Sequence, residues 1–514
     1  MNRILLLGAF FCFFFGLKTE AQQRYLDPVF DDVTVETNVL YGVNATVITY
    51  NVPAIGEAIP QPLAMDIYTP TNDTETNRPV FLLFHTGNFL PFPDNGGIGG
   101  TKEDSVLVEI CTDLAKRGFV AASVSYRAGW NPIAPTQEQR VFGLINAAFR
   151  GIQDARTAVR FFRATADGGN PYGIDPSKIG VWGDGTGGYI TLNMIGLDAY
   201  EKTLIPKFIA QLPDGMGGTI PYPMIQEAIN GDIYGTSIGV VDAVNAAVTG
   251  FNLGDTLCYP NHVGFDSDVS MAVNMGGALG DTTWLNAGQA PIISFQTPTD
   301  PFAPYDCGIV NVPVVNLPVV EACGANVVQG IQTANGNNQE WVDFGFTDDI
   351  STAANEINNG YDGLMPFNVD DPLESAPWQF WAEDNPNSTT PPDPESARIY
   401  LDSIYRYVLP RACITMDLNC DLTGYSNTKE IVAASEVGLK YSPNPSSTSI
   451  VFTSNDENPM LDVVVYDLQG RTVATNFEVN NSTFELNRNN LINGMYYVQI
   501  RFEAGITTQK VVFN

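Results

Sequence analysis

Residues 178–195 read KIGVWGDGTGGYITLNMI, and this stretch decides the fold. The apolar run from Ile179 to Trp182 breaks at glycines and resumes with residues that suit a helix, which predicts a strand turning sharply into a helix. The glycines fit the G-x-S-x-G frame of a nucleophile elbow, with Gly183 and Gly187 as flanks. Such an elbow is a strained turn that lifts one side chain above the end of a sheet. At the centre of this frame stands Gly185, which has no side chain to lift.

Strand and helix signals alternate on both sides of the turn. VFLLFHT (Val80 to Thr86) and FVAASVSYR (from Phe119) are dominated by apolar residues, as strands buried on both faces are. Between them, Val106 to Arg117 predicts a helix ended by Gly118. Ile145, Ala148, Ile152, Ala155, Val159, Phe162 and Ala166 recur at three and four residues, with Arg150, Asp154, Arg156, Arg160 and Arg163 opposite, which predicts one amphipathic helix on a sheet. A further strand is expected over Pro291 to Gln296. The pattern is that of an α/β protein with a doubly wound, mostly parallel sheet.

Three blocks resemble the carboxylesterases and lipases of the α/β-hydrolase fold. RPVFLLFHTGNFL (from Arg78) is similar to the strand and oxyanion loop in which HGGGF is usual; His85, Gly87 and Phe89 match, whereas Thr86 and Asn88 depart. IQDARTAVRFFRATA, followed by NPYGIDPSKIGVWGD, resembles the helix and strand leading into the elbow of secreted esterases. ISFQTPTDPFAPYDCG resembles the segment that supplies the triad acid, which maps to Asp300. The resemblance spans roughly residues 30 to 420, and it implies an oxyanion hole at Gly87, Asn88 and Thr186.

A triad in this fold runs nucleophile, acid, histidine along the chain. The chain has 2 histidines, His85 in the oxyanion loop and His262, and both precede Asp300. Where the family shows Gly-His before an apolar residue, Pro and an aromatic, this chain has Gly363-Leu364-Met365-Pro366-Phe367, so Leu364 takes the base position. Nucleophile and base are then both missing. Thr186 and Asp184 do not fit the elbow centre, because either would shift the glycine frame. Losing the nucleophile or base of such a triad costs on the order of 10⁶ in turnover.

The same turn also spells G-x-G-x-x-G through Gly183, Gly185 and Gly188, a dinucleotide fingerprint. That motif belongs after the first strand of its sheet with an acidic residue about 20 positions on. Two strands already precede it here, and Asp214 is the nearest acidic residue at a second strand end. No cofactor is expected.

The texture changes after Cys420. A polar linker is expected over 423–438, then a small all-β sandwich of short alternating strands over 439–514. YSPNPSS from Tyr441, VVVYDLQGR from Val463, and GMYYVQI from Gly494 with terminal KVVF resemble the type A sorting domain of type IX secretion. The resemblance implies passage through the periplasm, export across an outer membrane by the type IX machinery, and release or surface attachment.

Asn2 and Arg3, an apolar run from Ile4 to Leu17, and Thr19-Glu20-Ala21 predict a signal peptide over 1–21, leaving a hydrolase-like domain over 22–422. No later stretch approaches membrane length. Cys12 leaves with the leader, and the other cysteines suit an oxidising compartment. Close spacing pairs Cys307 with Cys323 and Cys413 with Cys420, leaving Cys111 for Cys258. A net charge of −32 argues against nucleic acid and anionic lipid as partners. Asp417, Asn419 and Asp421 alternate as calcium ligands do, but Cys420 interrupts them and no Glu closes the loop, so no metal is expected. Asn44, Asn72 and Asn387 open N-x-S/T triplets.

The expectation is a secreted, carboxylesterase-like chain that has lost its catalysis. Its pocket near His85, Gly87, Gly185 and Asp300 would take a small acyl or ester-like ligand. Two alternatives stand beside it: an ester hydrolase with an unorthodox nucleophile, and a surface adhesin displaying loops such as 214–264.

Overall fold

The computed structural model describes residues 22–514 apart from 215, 313–315, 383–384, 386–388, 390–391, 427–431, 469–471, 477–478, 490 and 503. The expected signal peptide and the triplet at Asn387 lie outside the described residues.

Every residue of β3 (Arg78–Phe84) is buried, because the strand lies inside a sheet and helices lie on it. The sheet is built from β1 (Val33–Thr46), β2 (Ile59–Pro70), β3, β4 (Val120–Val124), β5 (Ile174–Asp184) and the strands Met271–Met275, Ile292–Gln296 and Leu364–Pro366. These eight run in the order β1-β2-β4-β3-β5, then Met271–Met275, Ile292–Gln296 and Leu364–Pro366. The β1–β2 and β2–β4 pairs are antiparallel, and all pairs beyond β4 are parallel. This is the α/β-hydrolase fold that the sequence blocks implied.

The parallel strands put their C-terminal ends along one edge, where ligands bind in open α/β sheets. Three helices frame that edge: α1 (Ser105–Lys116), α2 (Gln137–Asp167) and α3 (Thr186–Gly196). Helix α2 starts at a capping box, in which the Thr136 hydroxyl accepts from Gln139 N and the Gln139 side chain accepts from Thr136 N.

The polar side of α2 does not face water. Arg150, Asp154, Arg156 and Arg160 are all buried, because the segment Arg127–Gly129, the end of α3 and the insertion following it cover them. Arg127 pairs with Asp154 at 2.9 Å, both side chains fully enclosed. Arg156 donates to the carbonyls of Met194 and Leu197 at 2.8 and 2.9 Å. Arg160 donates to Asn261 O at 3.1 Å. The insertion contains the hairpin of Ile209–Pro213 with Thr219–Pro223, and the pair Gly239–Val240 with Thr256–Cys258.

The chain divides into two units: one runs up to Asp343 and includes Asp348–Leu422, the other joins Phe344–Thr347 to Thr423–Asn514. The second unit contains a three-stranded and a four-stranded sheet. Their inward residues, among them Ile450, Phe452, Leu486, Val463, Val498 and Val511, form one core. Val432 and Val437 are buried in that core too. Packing therefore begins inside the stretch expected as a linker, since these two apolar residues find partners on the strands that follow. Among the described residues, no helix is long and apolar enough to cross a membrane.

Candidate functional site: an elbow without a nucleophile

The turn from β5 into α3 has the geometry of a nucleophile elbow. Gly185 takes φ 51° and ψ −109°, a conformation that costs an L-residue roughly 1–3 kcal/mol. Its N–H donates to Met275 O at 2.7 Å, and its carbonyl accepts from Gly188 N at 2.9 Å. The flanking glycines are fixed by contact: a Cβ on Gly183 would overlap the Gly187 carbonyl, and one on Gly187 would overlap the carbonyl of Phe84. Here strand and helix meet at bare backbone.

Gly185 differs, because the obstacle to a side chain is itself a side chain. A Cβ built on it would overlap Thr86 Oγ1 and lie 3.0 Å from Thr86 Cβ. Thr86 stands where the oxyanion loop of the resembling family has glycine. Two departures noted separately in the sequence thus meet in one volume: a side chain on Gly185 would start where Thr86, from the loop after β3, already stands.

The expected oxyanion group is assembled but internally engaged. Gly87, Asn88 and Thr186 line one cavity, with Asn88 and Phe89 at φ 57° and 54°. The Asn88 N–H donates to Thr186 Oγ1 at 2.6 Å. On its other side, Asn88 O accepts from Trp130 Nε1 at 2.8 Å, and Asn88 Nδ2 donates to Asn95 O at 3.1 Å. An amide that would face a developing oxyanion in a working site is therefore held by the chain's own hydroxyl.

The cavity measures about 270 Å³. Leu144, Ile145, Ala148, Phe149 and Ile152 of α2 form one apolar wall, and Val310, Val319 and Val320 form another. The second wall is the hairpin of Cys307–Val312 with Leu317–Cys323. Asp300, expected at the acid position, lines the cavity after the strand Ile292–Gln296. Its carboxylate accepts from Phe302 N at 2.8 Å and Ala303 N at 3.0 Å. Burial pushes its pKa up to about 7 against these bonds.

Neither histidine lines the cavity. The His85 ring stacks on Tyr126 at 4.3 Å, and its Nδ1–H donates to Thr86 O at 2.6 Å. Burial lowers its pKa to about 4, so it is neutral at ordinary pH. His262 Nε2–H donates to Tyr41 O at 2.7 Å.

The base position needs correction. Leu364 is fully buried and is the first residue of the last strand of the sheet, paired with Ser294. A base must stand beyond the strand end, and Leu364 does not line the cavity. The segment that reaches it from this side supplies Ser375, Ala376, Trp378 and Gln379. Two of these are tied to the elbow: Trp378 Nε1 donates to Asp184 Oδ1 at 2.6 Å and Gln379 Nε2 to Asp184 Oδ2 at 2.8 Å. Burial raises the Asp184 pKa to about 6. Sequence reasoning missed this clasp and the role of Thr86, since both depend on contacts between segments far apart in the chain.

The Cys307–Cys323 and Cys413–Cys420 disulfides are formed. Cys111 and Cys258 are free and buried. Cys111 belongs to α1 and Cys258 to the strand Thr256–Cys258 beside Asn44, so pairing them by elimination does not survive the fold. Asp214 is not a ribose ligand at the sheet edge; it closes its own hairpin by accepting from Met216 N and Gly218 N at 2.7 and 2.8 Å. The Gly188 of that fingerprint packs against Asn274 and Gly277. Among the described residues, no three His, Cys, Asp or Glu side chains gather as a metal site.

Residues 65–216 match the BD-FAE family model, and residues 441–514 match the model described as a secretion system C-terminal sorting domain. No curated protein matches the chain. Solved structures similar to it include a truncated carbohydrate esterase from gut microbiota, at 15% identity and a TM-score of 0.30, covering 59% of this chain and 84% of that one. Another is a propionate-bound esterase, Est2, from the planctomycete Thermogutta terrifontis, at 14% identity and a TM-score of 0.34, covering 73% and 95%. A bifunctional GH43-CE protein from Bacteroides eggerthii matches at 16% identity and a TM-score of 0.28, covering 53% and 29%. Such values are too low to transfer an activity. The chain joins an α/β-hydrolase, esterase-like body that matches BD-FAE over 65–216 to a C-terminal secretion sorting domain, and is thereby marked for secretion or the cell surface.

Proposed function

We propose that this is an exported α/β-hydrolase that does not hydrolyse esters and uses the cavity beside its elbow to hold a small ester-like or acyl ligand. The observation that carries the reading is Thr86, whose hydroxyl lies where a side chain on residue 185 would start. A rival reading makes a threonine the nucleophile, since Thr86 and Thr186 both line the cavity. It lacks the histidine base of a triad, since no histidine lines the cavity, and the Thr186 oxygen already accepts from Asn88 N. The leader over 1–21 and the sorting domain make the route one through the periplasm and the type IX machinery.

Hydrolysis of 4-nitrophenyl acetate and hexanoate by the purified protein tests the reading. Without nucleophile and base, turnover falls on the order of 10⁶ below an intact triad, so the expected rate equals that of a heat-denatured control. Turnover within about a hundredfold of the ordinary 1–10³ s⁻¹ would overturn it.

A further inference from the structure

The insertion after α3 is fastened to the body through its own backbone. Gln153 donates to the carbonyls of Asn230 and Asp232 at 2.8 and 2.7 Å, Arg160 to Asn261 O at 3.1 Å, and Arg127 to Leu257 O at 3.2 Å. Its outward side chains are left free of that task. The short helix Ala243–Thr249 turns Asn245 inward, bonded to the Tyr222 hydroxyl, and leaves Val244 and Val248, one turn apart, exposed. Val240 precedes them on the strand Gly239–Val240 and Leu253 follows; Val244 and Leu253 are 70% and 67% exposed. The loop after β1 extends this surface. Tyr50 packs on Phe251 at 5.1 Å, Asn252 N donates to Tyr50 Oη at 3.0 Å, and Asn252 Nδ2 donates to Gly56 O at 2.9 Å, which sets the stretch bearing exposed Val52 and Ile55 alongside 251–253.

Exposed apolar side chains gathered in one place mark a contact surface. Its charges are of one sign: over 47–58 and 239–256 they are Glu57, Asp242 and Asp255, and no Lys or Arg occurs anywhere in 25–77 or 208–397. Asp242 accepts from Asn245 N at 2.8 Å and Asp255 from Ala58 N at 3.1 Å, so both carboxylates are fixed in place. We propose that this face docks a protein partner presenting apolar residues ringed by lysine and arginine, as one side of a basic amphipathic helix does. The valines, Ile55 and Leu253 supply the area removed from water, and the carboxylates choose the partner's sign. A second copy would bring the same carboxylates against their own kind. The docking face is separate from the cavity beside the elbow and stands whether or not that cavity holds a ligand.

The probe is a fluorescein-labelled helical peptide of about 18 residues, leucine on one face and lysine on the other, added to the full chain at physiological ionic strength and read by anisotropy. It is expected to bind at least about tenfold more tightly than a leucine–glutamate or a serine–lysine peptide of equal length. Val244→Ser with Leu253→Ser keeps every charge and is expected to weaken binding about tenfold or more. Leu373→Ser with Ile399→Ser, at exposed apolar positions on other segments, should leave it unchanged. Carbodiimide coupling, which condenses a lysine amine with a carboxylate and passes the water to the carbodiimide, is expected to link the peptide to Glu57, Asp242 or Asp255; this readout decides if the first double variant does not fold. Undiminished binding by that folded variant, equal affinity for the leucine–glutamate peptide, links confined to other carboxylates, or no binding of the leucine–lysine peptide would each overturn the proposal. So would a wild-type dimer that the variant loses, because the face would then belong to a second copy.

Discussion

The glycine turn after β5 and the loop after β3 meet at the lining of one cavity, and they depart from the esterase pattern in different ways. In the turn, Gly183 and Gly187 remain because a Cβ would enter neighbouring backbone. In the loop, Thr86 stands where the esterase pattern has glycine, and its side chain lies where one on Gly185 would start. The difference separates two demands within one motif: the flanking glycines serve the crossing of helix and strand, whereas the central residue serves chemistry. The central residue can therefore vary while the crossing stays as it is.

Substitutions can break that contrast, and the largest effect belongs to the turn. Gly187→Ala pushes a methyl into the Phe84 carbonyl, which cannot move without shifting β3; a loss of about 3 kcal/mol or more is expected in denaturant unfolding. Gly185→Ser comes next, because it meets a positive φ and a side chain rather than backbone. Its expected cost is about 1–3 kcal/mol, and Thr86→Gly should return about 1 kcal/mol or more of it in a double-mutant cycle. Additive single effects would mean that Thr86 and residue 185 do not share space.

The smallest effect sharpens the comparison through pH. Asp184 in the turn, Asp300 in the cavity lining and Asp104 after the β3 loop have pKa values raised to about 6, about 7 and about 7, chiefly by burial. Raised carboxyl pKa values favour the fold while the groups are protonated, fully below the ordinary value near 4, and that contribution is lost as pH rises through 6 to 7. Asp73, held at about 2 by Arg24 and Arg78 against its burial, contributes steadily above pH 4 and does not mask the trend. The melting temperature should fall by a few degrees between pH 5 and pH 8. The fall should be smaller in Asp184→Asn, whose amide keeps one acceptor for Trp378 or Gln379.

The sheet and the elbow were legible because local pattern carries them. Continuous apolar runs such as Val80–Phe84 fit strands covered on both faces, and KIGVWGDGTGG places strand, turn and helix within a dozen residues. The two short-range disulfides were legible for the same reason. What escaped depends on contacts between distant segments. Leu364 reads as a loop residue until its register with Ser294 is known. The arginines of α2 read as the polar face of an amphipathic helix until Gly129, the end of α3 and the insertion after it are seen to cover them. Thr86 looked like a plain departure from a glycine-rich loop, and only its position against Gly185, 99 residues on by number, gives it meaning.

The central claim is that no side chain in this cavity is an activated nucleophile. A fluorophosphonate probe reports on that directly, since it forms a covalent adduct with an activated hydroxyl without needing turnover. The account predicts that intact-mass measurement of the wild-type protein after prolonged exposure shows no adduct. A stoichiometric adduct that maps to Thr86 or Thr186 would contradict it.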